Sequence, residues 1–350
     1  MVLPERGELA PLLEESGTEV VVRPLAVLRR RLLSAGGLAS LGGRLAADRR
    51  ALASLARDRD VALVHSNTSV VLGGHQAARR AGIPHLVHVR EIYAGAGGAV
   101  AALLWPALHR RLSTADGLAC VSAAVASQFA EVSSAFVLHD GLPRVPRPRD
   151  RGEARAALGL PPGPFVVALL GRVSDWKGQD VLARALAEPA LAEIGAIGAL
   201  AGAPYAGNEP LERDLTRLGL ELGLGERLQL LGFREDIDTV LGAADAVAVP
   251  STRPDPFPNA ALEAAAAGIP VVASSHGGLV EIVRDRATGL LVEPGDHRAL
   301  AEALRALADD PELRRRLGSA AAVDARERFG IERMLAELQD RYDRLIESAG

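Results

Sequence analysis

Between residues 165 and 292 the sequence repeats one pattern: a short aliphatic run, a loop rich in glycine or proline, then a stretch with helical spacing. The runs are FVVALL (165–170), IGAL (197–200), RLQLLG (227–232), AVAV (246–249), PVVAS (270–274) and the short GLLV that opens GLLVEPGD (289–296). Apolar runs of this length without polar alternation are strands covered on both faces. Strands that alternate with helices build a parallel sheet wrapped by helices. In such a sheet ligands sit at the carboxyl ends of the strands, so the loops after these runs are where chemistry is expected.

The first half shows the same alternation less clearly. VALVH (61–65), HLVHV (85–89), GLACV (117–121) and AFVL (135–138) read as strands. The start, VLPERGELAPLLEESGTEVVVRPLAV, reads as a strand remnant, a helix near Gly7–Ser16, a strand over Glu19–Arg23 and then an Arg-rich helical region. GLPRVPRPRDRGE (141–153) has no periodicity and is rich in proline and arginine, so it reads as a linker. The expected organisation is an N-terminal doubly wound domain over 1–145, a C-terminal one over 146–330, and a last helix over 331–350 that packs back toward the first domain.

With aromatic residues at 3%, the core must be built from Leu, Val and Ala. No apolar run approaches the ~20 residues of a membrane span, and the N-terminus lacks the layout of a signal peptide. The single cysteine, Cys120, sits in GLACVS and reads as core filler, which fits a reducing cytoplasm. The formal charge of −4 is unevenly spread: residues 1–150 carry 18 arginines against 13 acidic residues, and the rest of the chain is acidic. A basic first half suggests an anionic partner, and peripheral membrane contact through Arg29–Arg31 is one expectation; a solvated Arg-rich helix face is the plainer one. Of 40 basic residues only Lys177 is lysine. Where composition so favours arginine, a retained lysine marks a position that wants a compact ammonium.

Two loops carry candidate chemistry. After FVVALL comes Gly171-Arg172-Val173-Ser174-Asp175-Trp176-Lys177-Gly178, with two cations five residues apart and flanking glycines that let backbone approach a ligand. After AVAV comes PSTRPDPFPNAALE (250–263), which leads into a helix near Asn259. The free N–H groups and dipole of that helix start suit a phosphate. Asp255 and Glu263, eight positions apart, bracket the turn and would grip different parts of one ligand; an ordinary βα unit with a solvated aspartate is the alternative. Arg172, Lys177 and the helix amides together would clamp a diphosphate. There is no Gly-x-x-x-x-Gly-Lys-Ser/Thr, so this is not a P-loop. Asp58-Arg59-Asp60 and Asp236-Ile237-Asp238 have a D-x-D pattern but read as a charged helix end and a turn.

GRVSDWKGQD, LGFRED, PSTRPDPFPNAALEAAAAGIPVVAS, GGLVEIV and TGLLVEPGD occur in the order seen in the retaining glycosyltransferases of family GT4, and the chain resembles that family over 165–330. VHSNTSVVLGG, AARRAGIPHLVHVREI and CVSAAVASQF resemble it more loosely. The resemblance implies a GT-B fold, two doubly wound Rossmann-like domains facing a central cleft. It implies transfer of a sugar from a nucleotide-diphosphate sugar to a glycan, lipid or small-molecule acceptor, with retention and without a metal or other cofactor. Arg172 and Lys177 would bind the diphosphate, with Gly171 beside them. Asp255 would touch sugar hydroxyls and Glu263 the ribose. Backbone amides around Pro258, Asn259, Ala260 and Ala261 would hold phosphate and sugar, Phe233 and Arg234 would cradle the base, and His88 resembles a histidine that approaches the donor sugar.

The sequence departs from the family in two places. The first acid is Asp255, where Glu is commoner. The start of the sequence also reads as lying inside the family's second strand, without an opening strand, glycine-rich loop and helix, which would leave a gap in the middle of the first sheet. Those departures keep other readings open: an inactive GT-B protein that only binds nucleotide or scaffolds an assembly, or a sugar-nucleotide epimerase. The donor base and sugar, and the acceptor, are not legible in the sequence, and no nucleic-acid partner is expected.

Overall fold

The computed structural model describes residues 1–28, 35–93 and 98–349. The chain divides into two compact units, Met1–Val121 with Val125–Leu138 and Ala336–Gly350, and Ser122–Ala124 with His139–Leu335.

The second unit is a six-stranded parallel sheet of β7 (Val166–Leu170), β8 (Ile197–Ala201), β9 (Leu228–Gly232), β10 (Ala246–Val249), β11 (Val271–Ser274) and β12 (Gly289–Val292). Its order is β12-β11-β10-β7-β8-β9. Strands β8, β10 and β11 are buried throughout, as their unbroken aliphatic runs require. Helices Gln179–Ala187 and His297–Asp309 bury Leu182, Leu186, Leu300 and Leu304 in one core with Val167, Leu169 and Leu200. Asp296 and Asp310 cap their helices by accepting from the two N–H groups at the second and third following residues. The strand order is that of a dinucleotide-type sheet, and its reversal falls between β7 and β10, which pair directly at Ala246–Val167 and Val247–Ala168.

The stretch 141–153 is not a free linker. Residues 139–335 belong to the second unit, and Arg151–Ala157 is a helix capped by Asp150, which accepts from Gly152 and Glu153 N–H at 2.8 and 3.1 Å. Composition hid this because the order comes from distant partners. Arg144 and the Arg147 N–H both reach Asp238, and the Leu142 N–H donates to the Phe329 carbonyl. Arg155, buried, binds Asp245 at 2.7 Å and the carbonyls of Pro162 and Pro164, fixing the helix to the base of the sheet.

In the first unit β3 (Val64–Ser66), β4 (His85–Val89), β5 (Gly117–Cys120) and β6 (Ala135–Val137) form a four-stranded parallel sheet in chain order. The strands β1 (Val2–Leu3) and β2 (Val21–Val22) pair parallel with each other in a separate two-stranded sheet. Among the described residues, 1–60 supply no strand that joins the two sheets, so the expected interruption is present. The loop after β2 is tied to the four-stranded part through a Val27–Val71 bridge, and the buried Asp48 accepts from the Ala26 N–H at 2.7 Å. Helix Ile331–Ala349 contributes to this unit from residue 336: Tyr342 meets His65 and Leu345 lies against Gly117. Arg29–Arg31, the suggested membrane-facing segment, lies outside the described residues. Among the described residues, no helix is long and apolar enough to cross a membrane.

Candidate functional site

The topological switch point of the second sheet brings the two predicted loops together. The β7 loop leaves through Gly171 and Arg172 and ends at Gly178, which opens helix Gln179–Ala187 in a left-handed conformation (φ 77°). A Cβ at Gly178 would stand 2.0 Å from the Pro250 carbonyl oxygen, so only glycine lets the two loops approach this closely. Further contacts lock them: the Thr252 N–H donates to the Trp176 carbonyl at 2.8 Å, and Arg253 pairs with Asp175 at 2.7 Å.

The result is an ion pair between the two predicted residues. Lys177 Nζ donates to Asp255 Oδ2 at 2.6 Å. Asp255 is 4% exposed, which rules out the solvated loop aspartate of the plain alternative. Ser251 Oγ also donates to that carboxylate at 3.4 Å, and the Gly278 N–H takes the Asp255 carbonyl at 2.7 Å. His276 Nε2 bonds the Ser251 carbonyl at 2.9 Å, and the Trp176 ring lies under the lysine, 4.4 Å from Nζ to the ring centre. Ser251, Trp176 and His276 carried no spacing signal that would have singled them out.

Arg172 is exposed and has no carboxylate partner among the described residues; its guanidinium carbon lies 3.4 Å over the ring centre of Tyr205. Glu263, half-buried, lies on helix Asn259–Ala266, with no hydrogen bond to its carboxylate among the described residues. Burial raises its pKa above the usual carboxylate value, and the charge of Arg144 pulls it back.

The helix start needs one correction. Pro258 is the N-cap residue and has no N–H, and the Ala261 N–H already donates to the Pro258 carbonyl at 3.1 Å. That leaves Asn259 and Ala260 as the donors without an intrahelical partner. No side chain caps this end, and no acid sits in its first turn.

Phe233 and Arg234 lie just past β9. Phe233 is 73% exposed, an open apolar face, whereas Arg234 is held by Asp236 at 2.8 and 2.7 Å. Asp238 is taken by Arg144, and Arg59 of the other D-x-D segment binds Glu19. Cys120 is buried and its thiol is pushed up to about 12, so it is no nucleophile.

His88, in the first unit, is fully buried on β4. Its ring stacks on His65 with centres 5.9 Å apart, Arg90 lies 3.4 Å from its Nδ1, and its Nε2 has no partner among the described residues. Burial, reinforced by Arg90, pushes it down to about 3 and His65 to about 4, so both rings are neutral near pH 7.

With this geometry established, the chain can be set beside known proteins. The family described as glycosyl transferases group 1 matches residues 150–324, half of the chain. A D-inositol 3-phosphate glycosyltransferase of Nocardia farcinica is 43% identical over 183 residues, 51% of this chain and 40% of that protein. One of Nocardioides sp. is 37% identical over 229 residues, 61% of this chain and 49% of that protein. The matches thus span less than half the length of these curated relatives. Among solved structures, Anabaena HepE in complex with UDP and glucose superposes with a TM-score of 0.81 at 26% identity, covering 98% of this chain and 90% of that one. Sucrose-phosphate synthase from Thermosynechococcus elongatus has the same fold, with a TM-score of 0.80 at 24% identity over 95% of this chain and 84% of that one.

Proposed function

The chain belongs to the glycosyl transferases group 1, and on that premise we propose that it moves a sugar from a nucleotide-diphosphate sugar to an acceptor hydroxyl. The observation that carries the reading is the Lys177–Asp255 ion pair where the β7 and β10 loops meet, with Arg172 on the same loop as Lys177 and Glu263 on the helix that follows Asp255. A UDP-sugar is the donor to test first, because HepE was solved with UDP and with UDP-glucose.

The chemistry follows from charge. The bond between the anomeric carbon and the phosphate oxygen breaks, and the diphosphate leaves with the electron pair. Arg172 and Lys177 stand where that negative charge grows, and preorganised cations lower the barrier because they need no reorganisation. Asp255 fixes the ammonium and is adjacent to the sugar side. The Glu263 carboxylate accepts from ribose hydroxyls, and the Asn259 and Ala260 N–H groups donate to phosphate oxygens. The acceptor oxygen attacks from the leaving group's own face and its proton passes to the departing phosphate oxygen, which retains configuration without a protein nucleophile. Two fixed cations meet the diphosphate charge, so the reading calls for no metal.

The acceptor is a glycan, a lipid-linked glycan or a small molecule. A cytoplasmic setting, with any membrane contact peripheral, is part of the same reading and is supported by the single buried cysteine. The test is calorimetric titration with UDP-, GDP- and ADP-sugars beside Lys177→Ala. Saturable binding of one donor, weakened at least tenfold by the substitution (about 1.4 kcal/mol), supports the reading. Failure of all three donors to bind overturns it. Donor turnover with and without acceptor then separates transfer from hydrolysis and epimerisation.

A further inference from the structure

We propose that Tyr205 is a positioning residue that holds the Arg172 guanidinium ready for the donor diphosphate. The inference rests on the donor-site reading above.

Four observations support it. The Arg172 guanidinium carbon lies 3.4 Å over the Tyr205 ring centre. Arg172 has no acidic partner among the described residues, unlike Arg144, Arg234 and Arg253, which bind Asp238, Asp236 and Asp175. The backbone beneath the pair is fixed. The Gly171 N–H donates to the Ala201 carbonyl at 2.9 Å and the Val173 N–H to the Ala203 carbonyl at 3.3 Å, so the loops after β7 and β8 continue the ladder past the strands. Gly202 permits this, because a Cβ there would stand 2.0 Å from the Gly171 carbonyl oxygen. From behind, Gln179, only 3% exposed, donates to the Arg172 carbonyl at 2.9 Å. Tyr205 follows Ala203 by two residues, so the ring is delivered in register with the arginine.

The geometry suits an anion-binding cation. All guanidinium donors lie in the plane of the group, while the ring covers a face. A carboxylate partner would occupy the same donors that a phosphate needs and would have to be displaced. An aromatic face restricts the side chain and leaves every N–H edge open. Tyr205 is 60% exposed, so the ring has little part in the core and can be changed without unfolding the unit.

The experiment is calorimetric titration with UDP, GDP and ADP of the wild-type chain, Tyr205→Phe, Tyr205→Leu, Arg172→Ala, the double variant Tyr205→Leu with Arg172→Ala, and Lys177→Ala. Thermal melts serve as the folding control. Phenylalanine keeps the ring and is expected to bind within about twofold of wild type. Leucine is expected to weaken binding about three- to tenfold, the range of an exposed cation–π contact with partial desolvation. The double variant is expected to bind no more weakly than Arg172→Ala alone, because the ring acts only through the arginine. If Lys177→Ala abolishes binding while Tyr205→Leu does not change it, or if the two losses add, the positioning role is overturned and the donor site stands. If phenylalanine loses as much as leucine, the hydroxyl touches ligand directly and the proposal is wrong. If the wild type binds none of the three nucleotides, the donor-site reading itself fails and takes this role with it.

Discussion

The Lys177 ammonium stands 2.6 Å from the Asp255 carboxylate across 78 residues of sequence. Two residues assigned to different parts of one ligand thus hold each other before any ligand arrives. Their side chains are 22% and 6% exposed, so most of the pair is out of water. Removing one partner leaves the other charged and poorly solvated. Lys177→Ala is therefore expected to lower unfolding free energy by about 2–3 kcal/mol, measured by urea denaturation, besides weakening donor binding. Joining Asp255→Asn to it is expected to recover part of the stability and none of the binding.

Phe233 gives the opposite pattern. At 73% exposed it contributes little to the core. Phe233→Ala should leave stability within about 0.5 kcal/mol. If the ring stacks on the base, nucleotide affinity should fall by about 1–2 kcal/mol, the scale of base–aromatic stacking. Calorimetry beside a thermal melt reads both, and unchanged affinity removes Phe233 from the site.

Glu263 sets a pH dependence whose sign can be derived. Burial raises its pKa in the folded chain. Its stabilising contribution is therefore complete below the ordinary carboxylate pKa of about 4.3 and is lost as pH rises through the raised value. Ribose binding needs the ionised form and runs the other way. Nucleotide affinity should strengthen as pH climbs through the raised value, and Glu263→Gln should flatten that part of the profile.

The first unit should be acid-labile. His85 and His88 are pushed down to about 3 and His65 to about 4, in each case mainly by burial. An unfolded histidine titrates near about 6.5, so these groups favour the folded state above that pH and lose the contribution as pH falls toward 3. Each adds a slope of up to about 1.4 kcal/mol per pH unit. Hydrogen-exchange protection factors over residues 64–89 should fall between pH 7 and 5, and His85→Gln should reduce the dependence.

Gly178→Ala tests the close packing of the two loops. A side chain there meets the Pro250 carbonyl oxygen at 2.0 Å and must also take a positive φ. A loss of about 2–4 kcal/mol is expected, with donor affinity falling as the Lys177 and Asp255 loops separate. A melt and a titration that both match wild type would show that the loops need no such contact.

Much of the second unit was legible because its strands are covered on both faces and so form unbroken aliphatic runs. Arg172, Lys177 and Asp255 stand out as candidates because they fall in the loops that follow β7 and β10, and Glu263 because it lies on the helix the second loop leads into. What the sequence does not contain is the strand order. Only the pairing of β7 with β10 sets Lys177 on Asp255. Tyr205 and His276 sit in loops without periodicity, and their partners are backbone or ring faces that no spacing encodes. The order of 141–153 has no signal in its composition, because it is imposed by Asp238 and Phe329, far along the chain. Pro258 has no N–H, so the amide donors of that helix start are Asn259 and Ala260.

The helix that reaches Tyr342 bears on the order in which the chain can be finished during synthesis. A ribosome delivers residues 1–138 first, yet the partner of His65 and the side chain that packs on Gly117 come from Tyr342 and Leu345. The second unit, whose residues all lie before 336, has its complete sequence while the earlier one still waits for its last segment. A released chain truncated after residue 335 should therefore display a protease-resistant second unit and a first unit that remains cleavable.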